Sequence, residues 1–120
     1  MTVTEAIRKH LLESRGLVPR APLPDLESLK KSEWSSTFEQ MMRTRLFMGA
    51  LRYGLLNSRG KPQYDRMRSA RQRIALYEET GNLEILVDVA NMMLLEFEEG
   101  QHPLRHIRLQ DDGLHTEVKQ

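Results

Sequence analysis

The chain has 120 residues, of which 18 are Lys or Arg and 17 are Asp or Glu, so it sits close to neutrality. That length suits one domain with a single real core. A hydrophobic share of 39% beside 29% charged residues excludes collagen-like, low-complexity and wholly disordered chains. The absence of cysteine excludes a disulfide framework, a thiolate zinc site and a cysteine nucleophile. No apolar run approaches the ~20 residues of a membrane span. Charges at Glu5, Arg8, Lys9 and Glu13 do not fit a secretory leader. A cytoplasmic protein with no membrane association is the expectation.

Residues 3–15 have helical spacing, with Ile7, Leu11 and Leu12 on one face, Thr4 as a cap and Gly16 as a stop. Pro19, Pro22 and Pro24 then prevent regular helix, although Asp25 can cap a short turn through Leu26 and Leu29. The organisation expected is a helical arm (1–18), a proline-rich linker (19–32), a helical core (33–100) and a polar tail (101–120). Ser32 offers an N-cap, and the run to Asn57 contains no proline. Trp34, Phe38, Met41, Met42, Leu46, Gly49, Tyr53 and Leu56 recur there as one apolar face. The turn residues Asn57 to Pro62 end this helix, and Pro62 suits the first position of the next. That second helix runs to Thr80, with Tyr64, Met67, Ala70, Ile74 and Tyr77 as its stripe. Gly81-Asn82 is a cap and turn. Leu83–Glu99 is apolar over most of its circumference and is expected to be the central, most buried element. Short links between helices make antiparallel neighbours. The fold class is therefore all-α, an antiparallel helical bundle.

The charges are segregated. Arg59, Lys61, Arg66, Arg68, Arg71 and Arg73 stand against Asp65 alone, whereas residues 78–99 carry seven carboxylates and no Lys or Arg. Across a hairpin the two blocks neutralise each other. The functional counterpart is a basic strip of Arg59, Lys61, Arg66, Arg68 and Arg73 for nucleic acid or a phosphorylated ligand. The adjacent acidic helix repels phosphate and ranks that reading lower.

Polar residues on apolar faces are the more specific signal. Glu84, Asp88 and Asn91 stack at i, i+4 and i+7 on one narrow strip of the last helix, with Glu98 and Glu99 flanking it further on. Arg45 and Arg52 interrupt the apolar face of the first long helix, and Arg71 sits between Met67 and Ile74. A lone buried ion costs several kcal/mol, and guanidinium binds carboxylate bidentately. The expected outcome is a buried ion network in which Glu84 and Asp88 meet some of Arg45, Arg52 and Arg71. A solvated strip with snorkelling arginines is the plainer alternative. A magnesium ion is the other use of Glu84 and Asp88, and nearby arginines compete with it.

Met48–Gly54 (MGALRYG) and Leu86–Leu94 (LVDVANMML) resemble small phage and prophage helical proteins that are distantly similar to the MazG-type all-α nucleotide pyrophosphohydrolases. The resemblance covers roughly residues 35–99. It implies a four-helix core whose acidic motifs bind magnesium and hydrolyse nucleoside triphosphates to monophosphates, with Glu84 and Asp88 as the later acidic pair. The family spaces that pair by three rather than four, and its earlier paired glutamates have no counterpart in 32–57. The resemblance fits a helical, dimeric scaffold.

His102 and His106, four apart, share a face on a helix and suit a transition metal, but Pro103 lies between them. They are expected to be exposed and unligated, as are His10 and His115. Trp34 and Phe38 are expected in the core. The leading functional expectation is a non-catalytic helical binding or assembly protein that forms a homodimer, engages protein partners and carries no cofactor. A metal-dependent pyrophosphohydrolase or nucleotide binder using Mg2+ is the alternative, and nucleic-acid binding comes third.

Overall fold

A computed structural model of the chain describes residues 5–10, 25–108 and 119, and the regular secondary structure among them is helical, with no strand. Residues 5–10 are helical and exposed. The predicted caps Thr4 and Gly16, the apolar Leu11 and Leu12, the three linker prolines, His115 and most of the tail lie outside the described residues. Four further helices follow: α1 (Leu26–Ser32), α2 (Ser36–Tyr53), α3 (Arg66–Thr80) and α4 (Leu83–Glu99). The chain divides into two compact units, residues 1–43 and 44–120.

In the first unit, α1 corrects the expectation of an extended linker through residue 32. The Asp25 carboxylate accepts from the Ser28 N–H at 2.7 Å, and Lys30 and Lys31 occupy the last turn, so both helix ends are satisfied. Ser35, not Ser32, begins α2: its hydroxyl accepts from the Phe38 N–H at 3.1 Å. Trp34 is not a core residue. It is 63% exposed, and its indole N–H donates to Glu39 at 3.2 Å. That bond, with a second from Arg43, holds the Glu39 carboxyl below its usual range.

The second unit is an up-down-up arrangement of the C-terminal half of α2, α3 and α4. Helix α2 stops at Tyr53 because Gly54 takes φ +102°, a conformation that side-chain-bearing residues rarely adopt. Helix α3 starts at Arg66, four residues later than Pro62 suggests, because Asp65 caps it by accepting from the Arg68 N–H at 3.0 Å. Gly81, at φ +71°, ends α3, and the Asn82 side chain opens α4 by accepting from the Glu84 N–H. The bounds of α4 are those read from the sequence.

Helices α3 and α4 pack closely, and they carry the buried side chains Ala70, Ile85, Val87 and Asn91. Helix α4 is the most buried element, as expected. The stripe of α3 differs from the expected one: Tyr64, Met67 and Ile74 are each more than 40% exposed. Ala70 and Tyr77 face inward as expected, but Arg66 and Arg73 stand in place of Met67 and Ile74, with Ser69 beside them. The pull comes from the acidic end of α4, which engages Arg66. On α2, Met41, Met42, Leu46 and Gly49 are half-buried, whereas Phe47, Met48, Leu51, Tyr53 and Leu56 are exposed.

Candidate functional site

The site is built on one strip of α4. Glu84, Asp88, Asn91, Leu95 and Glu99 fall at i, i+4, i+7, i+11 and i+15, which a helix stacks in a single line. At the start of the strip Arg45 of α2 donates to Glu84, Nη2 to Oε2 at 2.8 Å, and its Nη1 lies 4.0 Å from Asp88 Oδ1. At the far end Glu99 collects three donors. The Asn57 N–H reaches it at 2.7 Å, Lys61 Nζ at 2.9 Å and Arg66 Nη2 at 2.7 Å, while Arg66 Nη1 lies 3.5 Å from Glu96. Asn57 presents its N–H from φ +59°, a left-handed conformation that asparagine tolerates. These ties fix the direction of the helices. Arg45 meets the start of α4, and the loop after α2 meets its end, so α2 runs parallel to α4 and antiparallel to α3.

The two ends differ in burial. Arg45 and Glu84 side chains are 39% and 56% exposed, whereas Lys61, Arg66 and Glu99 are 12%, 10% and 8% exposed. Burial is the largest single influence on the Glu99 carboxyl and pushes it up. Donation by the Asn57 N–H and the Lys61 ammonium, with the charges of Lys61 and Arg66, outweighs that push and holds it below the usual glutamate range.

Between the two ends lies an open cavity of about 640 Å3. Leu46, Ala50, Met92 and Leu95 give it apolar walls, and Arg52, Arg73, Tyr53 and Tyr64 also line it. The Tyr53 and Tyr64 rings meet edge to face at 5.9 Å. The Arg52 guanidinium lies 5.6 Å from the Tyr53 ring, and that of Arg66 lies 6.0 Å from the Tyr64 ring.

The structure therefore redistributes the residues singled out in the sequence. Arg45 joins Glu84 and Asp88 as expected, but at the rim rather than in a buried network. Arg52 stacks on Tyr53, and Arg71 is exposed; among the described residues neither pairs with Glu84 or Asp88. Asn91 is 7% exposed and lines the cavity. The basic strip is not one surface. Lys61 and Arg66 turn inward to Glu99, Arg73 faces the cavity, and Arg59 and Arg68 are exposed. His102 and His106 are exposed, each bonded through Nδ1 to the backbone of Leu104. The buried ion cluster is centred on Glu99, which the sequence reading placed only at the flank. Its position three turns beyond Asp88 on the same line was the available signal.

At Glu84 and Asp88 the Arg45 guanidinium competes with any cation. It already occupies the space between them with positive charge, and among the described residues no three His, Asp or Glu side chains cluster as a metal requires. Among the described residues, no helix is long and apolar enough to cross a membrane. In comparisons with protein families, curated proteins and solved structures, nothing matches this chain.

Proposed function

We propose that this chain is a non-catalytic helical assembly module that pairs with a second copy of itself. One observation carries the reading. Leu83, Leu86, Ala90, Met93 and Phe97 recur on α4 at steps of three, four, three and four, the spacing of a helix–helix seam. Leu83, Met93 and Phe97 are 67%, 38% and 75% exposed and Leu86 and Ala90 half-buried, so the seam is open to water at both its ends and at Met93. An apolar line of this regularity left in water costs free energy that a second helix recovers.

Charge selects the occupant. Beside the seam α4 carries exposed Glu98 and no Lys or Arg, whereas Phe47, Met48 and Leu51 on α2 are exposed beside the cationic Arg52. A two-fold dimer apposing α4 of one copy with α2 of the other joins complementary surfaces twice. Half-exposed large side chains offer on the order of 100 Å2 each. The apolar residues of the two faces together approach the ~800 Å2 per partner of a standard interface.

Analytical ultracentrifugation of the full chain tests this. The wild type is expected to sediment as a dimer at micromolar concentration, and Phe97→Asp as a monomer with unchanged helical circular dichroism. A monomeric wild type, or a dimer indifferent to Phe97→Asp, overturns the reading.

A further inference from the structure

The charges around the cavity do not cancel. Arg45, Arg52, Lys61, Arg66 and Arg73 reach it, against Asp88 as its one carboxylate. Arg45 is engaged by Glu84, and Lys61 and Arg66 by Glu99. Arg52 and Arg73 remain: among the described residues no carboxylate pairs with either. Arg73 is the more telling. It is half-buried on the inward line of α3, and its Nη1 reaches only the Ser69 carbonyl, at 3.4 Å. That is a long bond to a neutral acceptor, and it leaves most of the guanidinium fork free. A partly desolvated guanidinium with no anion is costly in isolation and well suited to receive one.

The remaining walls are apolar and aromatic. Leu46, Ala50, Met92 and Leu95 lie between the two ion groups, and Tyr53 and Tyr64 close one end. Seven residues separate Arg66, beside Tyr64, from Arg73, so the cavity extends about 10 Å along α3 between its aromatic end and its free cation. Its volume of about 640 Å3 lies within the range of small-molecule sites.

We propose that this cavity binds an amphipathic organic anion. The phosphate or carboxylate head sits on the Arg73 fork, and Arg52, beside Tyr53 at the other end, adds positive potential at longer range. The apolar body lies along Leu46, Ala50, Met92 and Leu95 toward the tyrosines. Every residue of the site belongs to positions 45–95 of one chain, so a single copy supplies all of it.

Isothermal titration calorimetry of the full chain with octyl phosphate and octanoate, below their micelle concentrations, tests the proposal and distinguishes the two heads. At least one of the two is expected to bind, with octanol and inorganic phosphate each at least tenfold weaker. Arg73→Gln is expected to weaken the anion at least tenfold, Arg73→Lys less, and Arg71→Gln, on the outer side of α3, not at all. Circular dichroism confirms that each variant is folded. If Arg73→Gln does not fold, Arg52→Gln, expected to weaken the anion less, carries the test. Octanol binding as tightly as the anions, no binding of either anion, or an anion affinity unmoved by the arginine substitutions overturns the proposal.

Discussion

The two ends of the polar strip on α4 use the same chemistry under opposite conditions. At the start, Glu84 and Asp88 meet one guanidinium in contact with water. At the end, Glu99 meets an ammonium, a guanidinium and a backbone N–H, with the side chains 12% exposed or less. In water an ion pair trades one set of favourable contacts for another and contributes little. Out of water, each member needs the others, because none can recover its hydration. The far end therefore acts as a clasp: it binds the loop after α2 and the start of α3 to the last turn of α4. The near end orients helices without holding them.

The largest expected effect follows from the clasp. Glu99→Ala leaves Lys61 and Arg66 buried without their anion and the Asn57 N–H without its acceptor. A loss of about 3–5 kcal/mol is expected in urea denaturation. A loss below about 1 kcal/mol would show that the cluster is hydrated in solution and would erase the contrast between the two ends.

The pH dependence sharpens the contrast further. The Glu99 carboxyl titrates below its ordinary value of 4.5 in the folded chain. A depressed folded value means that the ionised form is the one the fold stabilises. This contribution is complete above the unfolded value and disappears as pH falls through the folded one. The stability gap between wild type and Glu99→Gln is thus expected to stay level from neutral pH to about 5 and to close below 4.5. A gap that is the same at pH 3.5 as at pH 7 contradicts the assignment.

The sequence carried the helices better than their faces. The limits of α4 were legible because Asn82 and Gly100 bracket a run without breakers, and both act as caps. The end of α2 was not, since the apolar recurrence continues through Tyr53 to Leu56 while the backbone turns at Gly54. The orientation of α3 was misread for a related reason. Periodicity counts arginine as an outward residue, yet Arg66 is drawn inward by Glu96 and Glu99, which lie some thirty positions away. The pairing of Arg45 with Glu84 was legible because both interrupt apolar faces of helices that must be neighbours. The clasp was half legible: the register of α4 places Glu99 in line with Asp88, but its partners come from a loop and a helix start. No local pattern announces those.

The smallest expected effect lies at the exposed end of the strip. Glu84 is more than half exposed, and its partner Arg45 keeps a second carboxylate, Asp88, within 4.0 Å. Removing Glu84 therefore strands no charge, since Arg45 can relax toward Asp88 or into solvent. Glu84→Ala is expected to cost less than about 1 kcal/mol. That cost should shrink further at 1 M salt, where the screening length falls to about 3 Å. The cost of Glu99→Ala, inside the protein, should change far less over the same range. Urea titrations of both variants at low and high salt read the two dependences side by side. A Glu84→Ala penalty as large and as insensitive to salt as that of Glu99→Ala would mean that the near end is closed off from water as well. The strip would then be a single buried network, with Arg45 as essential to it as Lys61 and Arg66.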